Sequence, residues 1–168
     1  MTAYTNLIVP VHDFSPISGI AQDELIRLIM KRAKYLIAIA DYQPHCDIPC
    51  MPTSGGTPEE ISALNAEVNG RLPNDYAAFL RTCRYLIISQ GFEIGGLDLG
   101  RPWLSDRHCK GKEFIIFACY CRFADSDQLM IDTDSGEVIA YLHELGPLFE
   151  RYAPNFLAAV WRMVTETF

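Results

Sequence analysis

Cysteine and histidine side chains are the first candidates for chemistry in this sequence, because both can bind zinc. His45, Cys46 and Cys50 lie in one proline-containing stretch, and His108 and Cys109 lie farther along the chain. A structural zinc site needs four ligands in tetrahedral geometry, usually supplied by two closely spaced pairs. The spacing Cys46-x3-Cys50 fits one such pair loosely, and no clean second pair follows. We therefore expect no metal site.

A cysteine nucleophile would require an activating base and a lowered pKa. Cys109, between His108 and Lys110, is the one local candidate, but neighbours in sequence seldom form such a pair. Cys119 and Cys121 are two residues apart in a β-favouring segment, which predicts that they share one strand face and pack there. The cysteines are expected to be reduced thiols.

Paired carboxylates are the remaining catalytic candidates. Asp125 and Asp127 flank Ser126, and Asp132 and Asp134 flank Thr133, a pattern that could serve general acid–base catalysis. Turn chemistry is the simpler interpretation, because Asp and Ser side chains bond nearby backbone at turns. The alternative enzyme hypothesis is a small hydrolase that uses these carboxylates or Cys109.

Glycines do not point to a cofactor either. Gly91, Gly95, Gly96 and Gly100 lack the spacing of a phosphate-binding loop. With no cofactor, no metal and no catalytic set expected, the sequence predicts a protein that is not an enzyme.

Helices come first along the chain. Residues 22–41 have apolar positions at helical spacing, and residues 42–56 form a loop with three prolines and a glycine pair. Thr57-Pro58-Glu59-Glu60 is a capping box, which predicts a helix start, and Gly70 predicts its stop. A third helix begins near Leu72-Pro73-Asn74-Asp75.

Short β-favouring runs follow, and a helix closes the chain. The runs cover residues 86–88, 92–99, 114–121, 128–132 and 138–142, and residues 155–164 are amphipathic. Residues 132–137 have the composition of a hairpin turn. This order predicts an α+β fold with a mostly antiparallel sheet and helices packed on one side.

Composition narrows the function classes. The chain has 168 residues and a net charge of −7, and its 49% hydrophobic content is enough for one core, so we predict a single domain over residues 1–168. An acidic surface disfavours nucleic acid and anionic membrane and suits a basic protein partner.

No apolar run is long enough to span a bilayer, and no signal peptide is evident, so the expected location is the cytoplasm.

Three stretches resemble the SUKH superfamily, which includes fungal cell-wall-synthesis regulators and bacterial immunity proteins (Smi/Knr-like). They are residues 56–67, the element Leu72-Pro73-Asn74-Asp75-Tyr76 with Phe79-Leu80, and the late hairpin of residues 131–138 followed by His143-Glu144 and Phe156-Leu157. The resemblance covers residues 57–164, and residues 1–56 add a helix and a loop before this core. The glycine pair comes later than in the family, at Gly95-Gly96.

The resemblance implies a non-enzymatic immunity protein that binds and neutralises a cognate toxin, often a nuclease. A regulatory or scaffold adaptor is the alternative. The chain itself is expected to be a monomer or a homodimer. Acidic or aromatic residues expected in strand-connecting loops are the predicted contacts for such a basic partner, with carboxylates in place of phosphates: Glu93, Asp98, Trp103, Asp106, Asp125, Asp127 and Asp134. The Trp103 indole is predicted as an apolar anchor, with a position in the core as the alternative.

Overall fold

The fold of this chain was analysed in a computed structural model. It describes residues 4–39, 50–89, 92–98, 101–105, 112–121, 126–144 and 148–166. The elements are α1 (Gln22–Ile39), α2 (Pro58–Glu67), α3 (Asn74–Thr82), β1 (Leu86–Ser89), β2 (Phe92–Ile94), β3 (Trp103–Ser105), β4 (Phe114–Tyr120), β5 (Gln128–Asp132), β6 (Val138–Leu142), β7 (Leu148–Ala153) and α4 (Phe156–Glu166). The α+β prediction is confirmed.

The start of α2 follows from the capping box. The Thr57 hydroxyl accepts a hydrogen bond from the Glu60 backbone N–H at 3.3 Å, and the Glu60 carboxylate accepts one from the Thr57 N–H at 2.8 Å. Two backbone donors that the helix itself cannot pair are thereby satisfied. After the helix, Gly70 has a φ of +74°, as the sequence predicted for a stop.

The strands form one sheet in the order β1-β2-β4-β5-β6-β7, and β3 also pairs with β4. Each pairing between described residues is antiparallel. Because β5 lies along one edge of β4, both β2 and β3 lie along the other edge. They follow each other end to end, with Phe92 opposite Tyr120 and Ser105 opposite Phe114.

The two faces of the sheet pack differently. The main buried cluster combines side chains of all four helices with one face of the sheet, including Ile115, Phe117 and Leu129. The opposite face, here called the outer face, has a smaller cluster of Phe114, Ile116, Met130 and Ile139, against which Tyr4, Tyr141 and Phe149 pack. None of those outer-face residues belongs to a helix. The predicted placement of the helices on one side is therefore confirmed.

Two fully buried charged residues hold the N-terminal segment against β7 and α4. The Glu150 carboxylate accepts hydrogen bonds from the successive backbone N–H groups of Leu7, Ile8 and Val9. The Arg162 guanidinium donates to the carbonyl oxygens of Tyr152 and Pro10, both at 2.8 Å. Because neither charge is in contact with water, these partners compensate its desolvation.

Among the helices that the structure describes, none is both long and apolar enough to cross a membrane.

We predict that Glu150→Gln destabilises the fold by about 2–4 kcal/mol, because one of the acceptor oxygens becomes an amide that donates toward backbone N–H groups. Urea unfolding measures the loss, and amide hydrogen exchange at residues 7–9 should accelerate. Glu144→Gln, at an exposed position, is the matched control and should stay within about 0.5 kcal/mol of wild type. Equal unfolding midpoints for the two variants would contradict this role of Glu150.

Candidate functional site

A groove of about 270 Å³ opens on the outer face, where β2 and β3 both meet β4. Most of its lining atoms are apolar. The lining residues are Glu93, Gly95, Trp103, Ile116, Phe117, Ala118, Cys119 and Gln128.

Strand register brings the groove residues together. Glu93 of β2 lies opposite Cys119 of β4, which lies opposite Gln128 of β5 on its other side. Trp103 of β3 lies opposite Ile116 of the same central strand. Because directly opposed residues in antiparallel strands share a face, all five side chains belong to the outer face.

A bulge in β4 separates the Trp103–Ile116 pair from the Glu93–Cys119–Gln128 set. The register shifts between Ile116 and Ala118, so that Phe117 and Ala118 both join the helix-side cluster. The backbone N–H of Gly95 donates to the Phe117 carbonyl oxygen at 2.8 Å, just after β2 ends. The bulge thus places two consecutive inward residues under the groove, while Ile116 and Cys119 point outward at its two ends.

Trp103 and Glu93 are the predicted contacts that the structure brings together. Trp103 is 51% exposed, so much of its indole is available to a partner. Glu93 is partly buried, and no ion pair joins it to a basic side chain of the described ranges. Both residues lie within strands and not in loops, which corrects the expectation for their location.

Cys119 is exposed beside Glu93, so the prediction that it is a packing residue is wrong. Partial burial of its thiol raises the pKa, and the Glu93 carboxylate and the Cys121 thiol raise it further. A thiol with a raised pKa stays protonated near neutral pH, which is the opposite of what a cysteine nucleophile needs. Cys119 therefore lines the groove as a neutral group.

Asp127 is not available to a partner. It is 1% exposed, and its carboxylate accepts a hydrogen bond from the His143 backbone N–H at 3.1 Å. The His143 ring nitrogen Nδ1 lies 3.5 Å from the same oxygen. The prediction of Asp127 as a contact residue is wrong, because this carboxylate holds the chain after β6 next to β5.

Asp98 is exposed but already has a cationic partner. The Arg84 guanidinium donates to Asp98 at 2.9 Å and to the Glu60 carboxylate at 2.7 and 2.9 Å. This network ties the first turn of α2 to the segments before β1 and after β2. Asp98 therefore stabilises the connection next to the groove and is not one of its lining residues.

The remaining predicted contacts lie elsewhere. Asp134 is exposed in the hairpin after β5, at the end of that strand away from Gln128. Asp106 and Asp125 lie outside the described residues, as do the candidate zinc and nucleophile residues His45, Cys46, His108 and Cys109. Within the described ranges, no group of three or more His, Cys, Asp or Glu side chains could hold a metal ion.

Sequence reasoning missed Ile116, Cys119 and Gln128 as groove residues. Their only signal is the register of β4 with its neighbours, because each residue type alone is ordinary for a strand. No family model matches the chain, and no curated protein or solved structure matches it. The SUKH resemblance therefore stays a prediction from its motifs.

The Arg84 network predicts a specific acid response. Arg84 lowers the pKa of Glu60 to about 2, with the Thr57 N–H contributing. Because the folded-state pKa lies below the unfolded one, the stabilisation is present above pH of about 4.5 and disappears as the pH falls toward 2. As the pH falls from about 4.5 to 2, the free energy of unfolding of Glu60→Gln, measured in urea, should therefore decrease less than that of wild type.

Glu59→Gln is the control, since Glu59 is in the same helical turn and exposed. Its stability should fall with pH as steeply as that of wild type. Equal slopes for Glu60→Gln and Glu59→Gln would refute the assignment of this acid response to the Arg84 network.

Proposed function

We propose that this chain binds and inhibits another protein, as an immunity protein neutralises its cognate toxin. The proposal depends on one observation: a half-exposed Trp103 and Glu93 line the same groove, on a sheet face without helices. Tryptophan is strongly enriched among the residues that contribute most to protein–protein binding. An exposed indole fixed on a strand is a rigid anchor for such a contact.

The dimensions of the groove favour a protein partner over a small substrate. Its volume of about 270 Å³ is below the roughly 300–1,000 Å³ of pockets that enclose a drug-sized ligand. A groove of this size accommodates a single side chain of a larger partner. The raised pKa of Cys119 also argues against nucleophilic chemistry there.

Charge supports a basic partner. The net charge of −7 attracts a cationic protein and accelerates its association. The SUKH resemblance supports a toxin, with nuclease toxins as the leading class, since their nucleic-acid sites are cationic. The proposed location is the cytoplasm, where such a toxin would act, and the proposed mode is stoichiometric blocking.

The test compares two aromatic residues of similar exposure. Trp103→Ala removes the proposed anchor, whereas Tyr35→Ala removes a 54% exposed ring from α1, in the helix layer. The tagged chain would capture its partner in the native host, and the purified pair would then be studied by calorimetry. Trp103→Ala should weaken binding by at least tenfold, which is about 1.4 kcal/mol, and Tyr35→Ala should leave it unchanged.

Inhibition is the second measurement. The activity of the captured protein should fall to zero at a 1:1 ratio with the wild-type chain and persist with Trp103→Ala. A captured protein that keeps its full activity in the complex would show an adaptor and would refute inhibition. Equal affinities of Trp103→Ala and Tyr35→Ala would refute the groove as the contact site.

A further inference from the structure

The groove offers a cation two complementary surfaces. The face of an indole attracts a cation through its quadrupole, and Trp103 exposes about half of its surface beside the groove. Glu93 contributes a carboxylate to the lining of the same groove. Glu93 lies directly opposite Cys119 of β4 on the outer face, so both residues line the same part of the groove.

The floor of the groove is apolar. Ile116 lies opposite Trp103 in the sheet, and Phe117 and Ala118 follow it along β4. Such a surface suits methylene carbons better than a hydrated ion. A fitting ligand therefore has an aliphatic stem and a cationic end group.

We propose that the groove binds one arginine side chain of the partner protein, with its guanidinium between Trp103 and Glu93. This inference rests on the proposed function and specifies the chemistry of the partner. A planar guanidinium can stack on the indole while its edge donates hydrogen bonds to the carboxylate. The aliphatic part of the arginine then lies against Ile116.

Arginine fits better than the alternatives. The lysine ammonium is more strongly hydrated and does not stack on an aromatic ring, so it gains less from Trp103. A purely apolar side chain would leave the Glu93 carboxylate desolvated without a partner. The chain's own Arg101, two residues before Trp103, forms an ion pair with Glu67 at the end of α2.

The test uses Nα-acetyl-arginine methylamide as the probe and the full chain as the protein. The two tryptophan indole N–H signals are followed by NMR, and Trp103→Phe identifies the Trp103 signal. We expect a saturable shift of that signal with the arginine probe. The matching citrulline compound replaces the guanidinium by a neutral urea of the same shape and should bind at least tenfold more weakly.

Glu93→Gln should weaken binding of the arginine probe at least fivefold. Glu59→Gln removes an exposed carboxylate from α2, in the helix layer, and should leave binding unchanged. Thermal unfolding of both variants checks that they are folded.

Three results would overturn the proposal. They are equal binding of the arginine and citrulline compounds, no saturable shift with either compound, and a Trp103 shift that depends on protein concentration alone, which would show a second copy in the groove. If one of them occurs while Trp103→Ala still weakens the partner complex, the arginine assignment fails and the proposed function stands. If Trp103→Ala leaves that complex unchanged, the proposed function fails as well.

Discussion

The groove depends on how one edge of β4 is shared. Two short strands, β2 and β3, pair with successive halves of that edge, and the chain between them must leave the sheet and return. Gly96 permits the departure, since a Cβ at this position would lie 1.6 Å from the Arg84 carbonyl oxygen. The adjacent Leu97 N–H donates to that same oxygen. Close backbone contact at Gly96 therefore fixes where β2 ends and where the groove begins.

Local signals in the sequence predicted the helices well, because helix starts depend on neighbouring residues. The Thr57 capping box and the stop at Gly70 are both present. The helix predicted to begin near Leu72-Pro73-Asn74-Asp75 is α3, and it buries Tyr76, Phe79 and Leu80. In each case the interactions that decide the structure come from residues within a few positions of each other.

The sequence did not predict β3 and β7. These two strands show which structural information a local residue pattern does not contain. In β7, Glu150 lies opposite Ala140 and so occupies a helix-side position, where the alternation rule expects an apolar residue. Its partners are backbone N–H groups more than 140 residues earlier in the chain, and no local pattern reveals them. In β3, three residues are too few for any period to appear. Glu150 of β7 therefore depends on partners distant in sequence, whereas β3 is too short for a local pattern to identify it.

Long-range partners, which a sequence pattern does not reveal, also explain why some predicted acidic contacts are not available to another protein. Composition counts carboxylates but does not show which ones already have partners inside the protein. Asp132 accepts hydrogen bonds from Tyr4 and Lys112, Asp127 from His143, and Glu150 from the N-terminal backbone. For Trp103 the sequence left two alternatives, an exposed anchor and a core residue, and the structure shows a half-exposed ring.

Because so many carboxylates have internal partners, net charge and binding specificity must be considered separately. All charges contribute to the long-range field that attracts a cationic protein, whether or not they are paired locally. Discrimination between partners requires a charge that forms its contact only in the complex and is desolvated there. Among the predicted acidic contacts in the described ranges, Glu93 is the one that lines a groove beside an exposed aromatic ring. A partner that binds at this position as proposed would therefore present a cation at short range, however strongly the overall charge attracts other basic proteins.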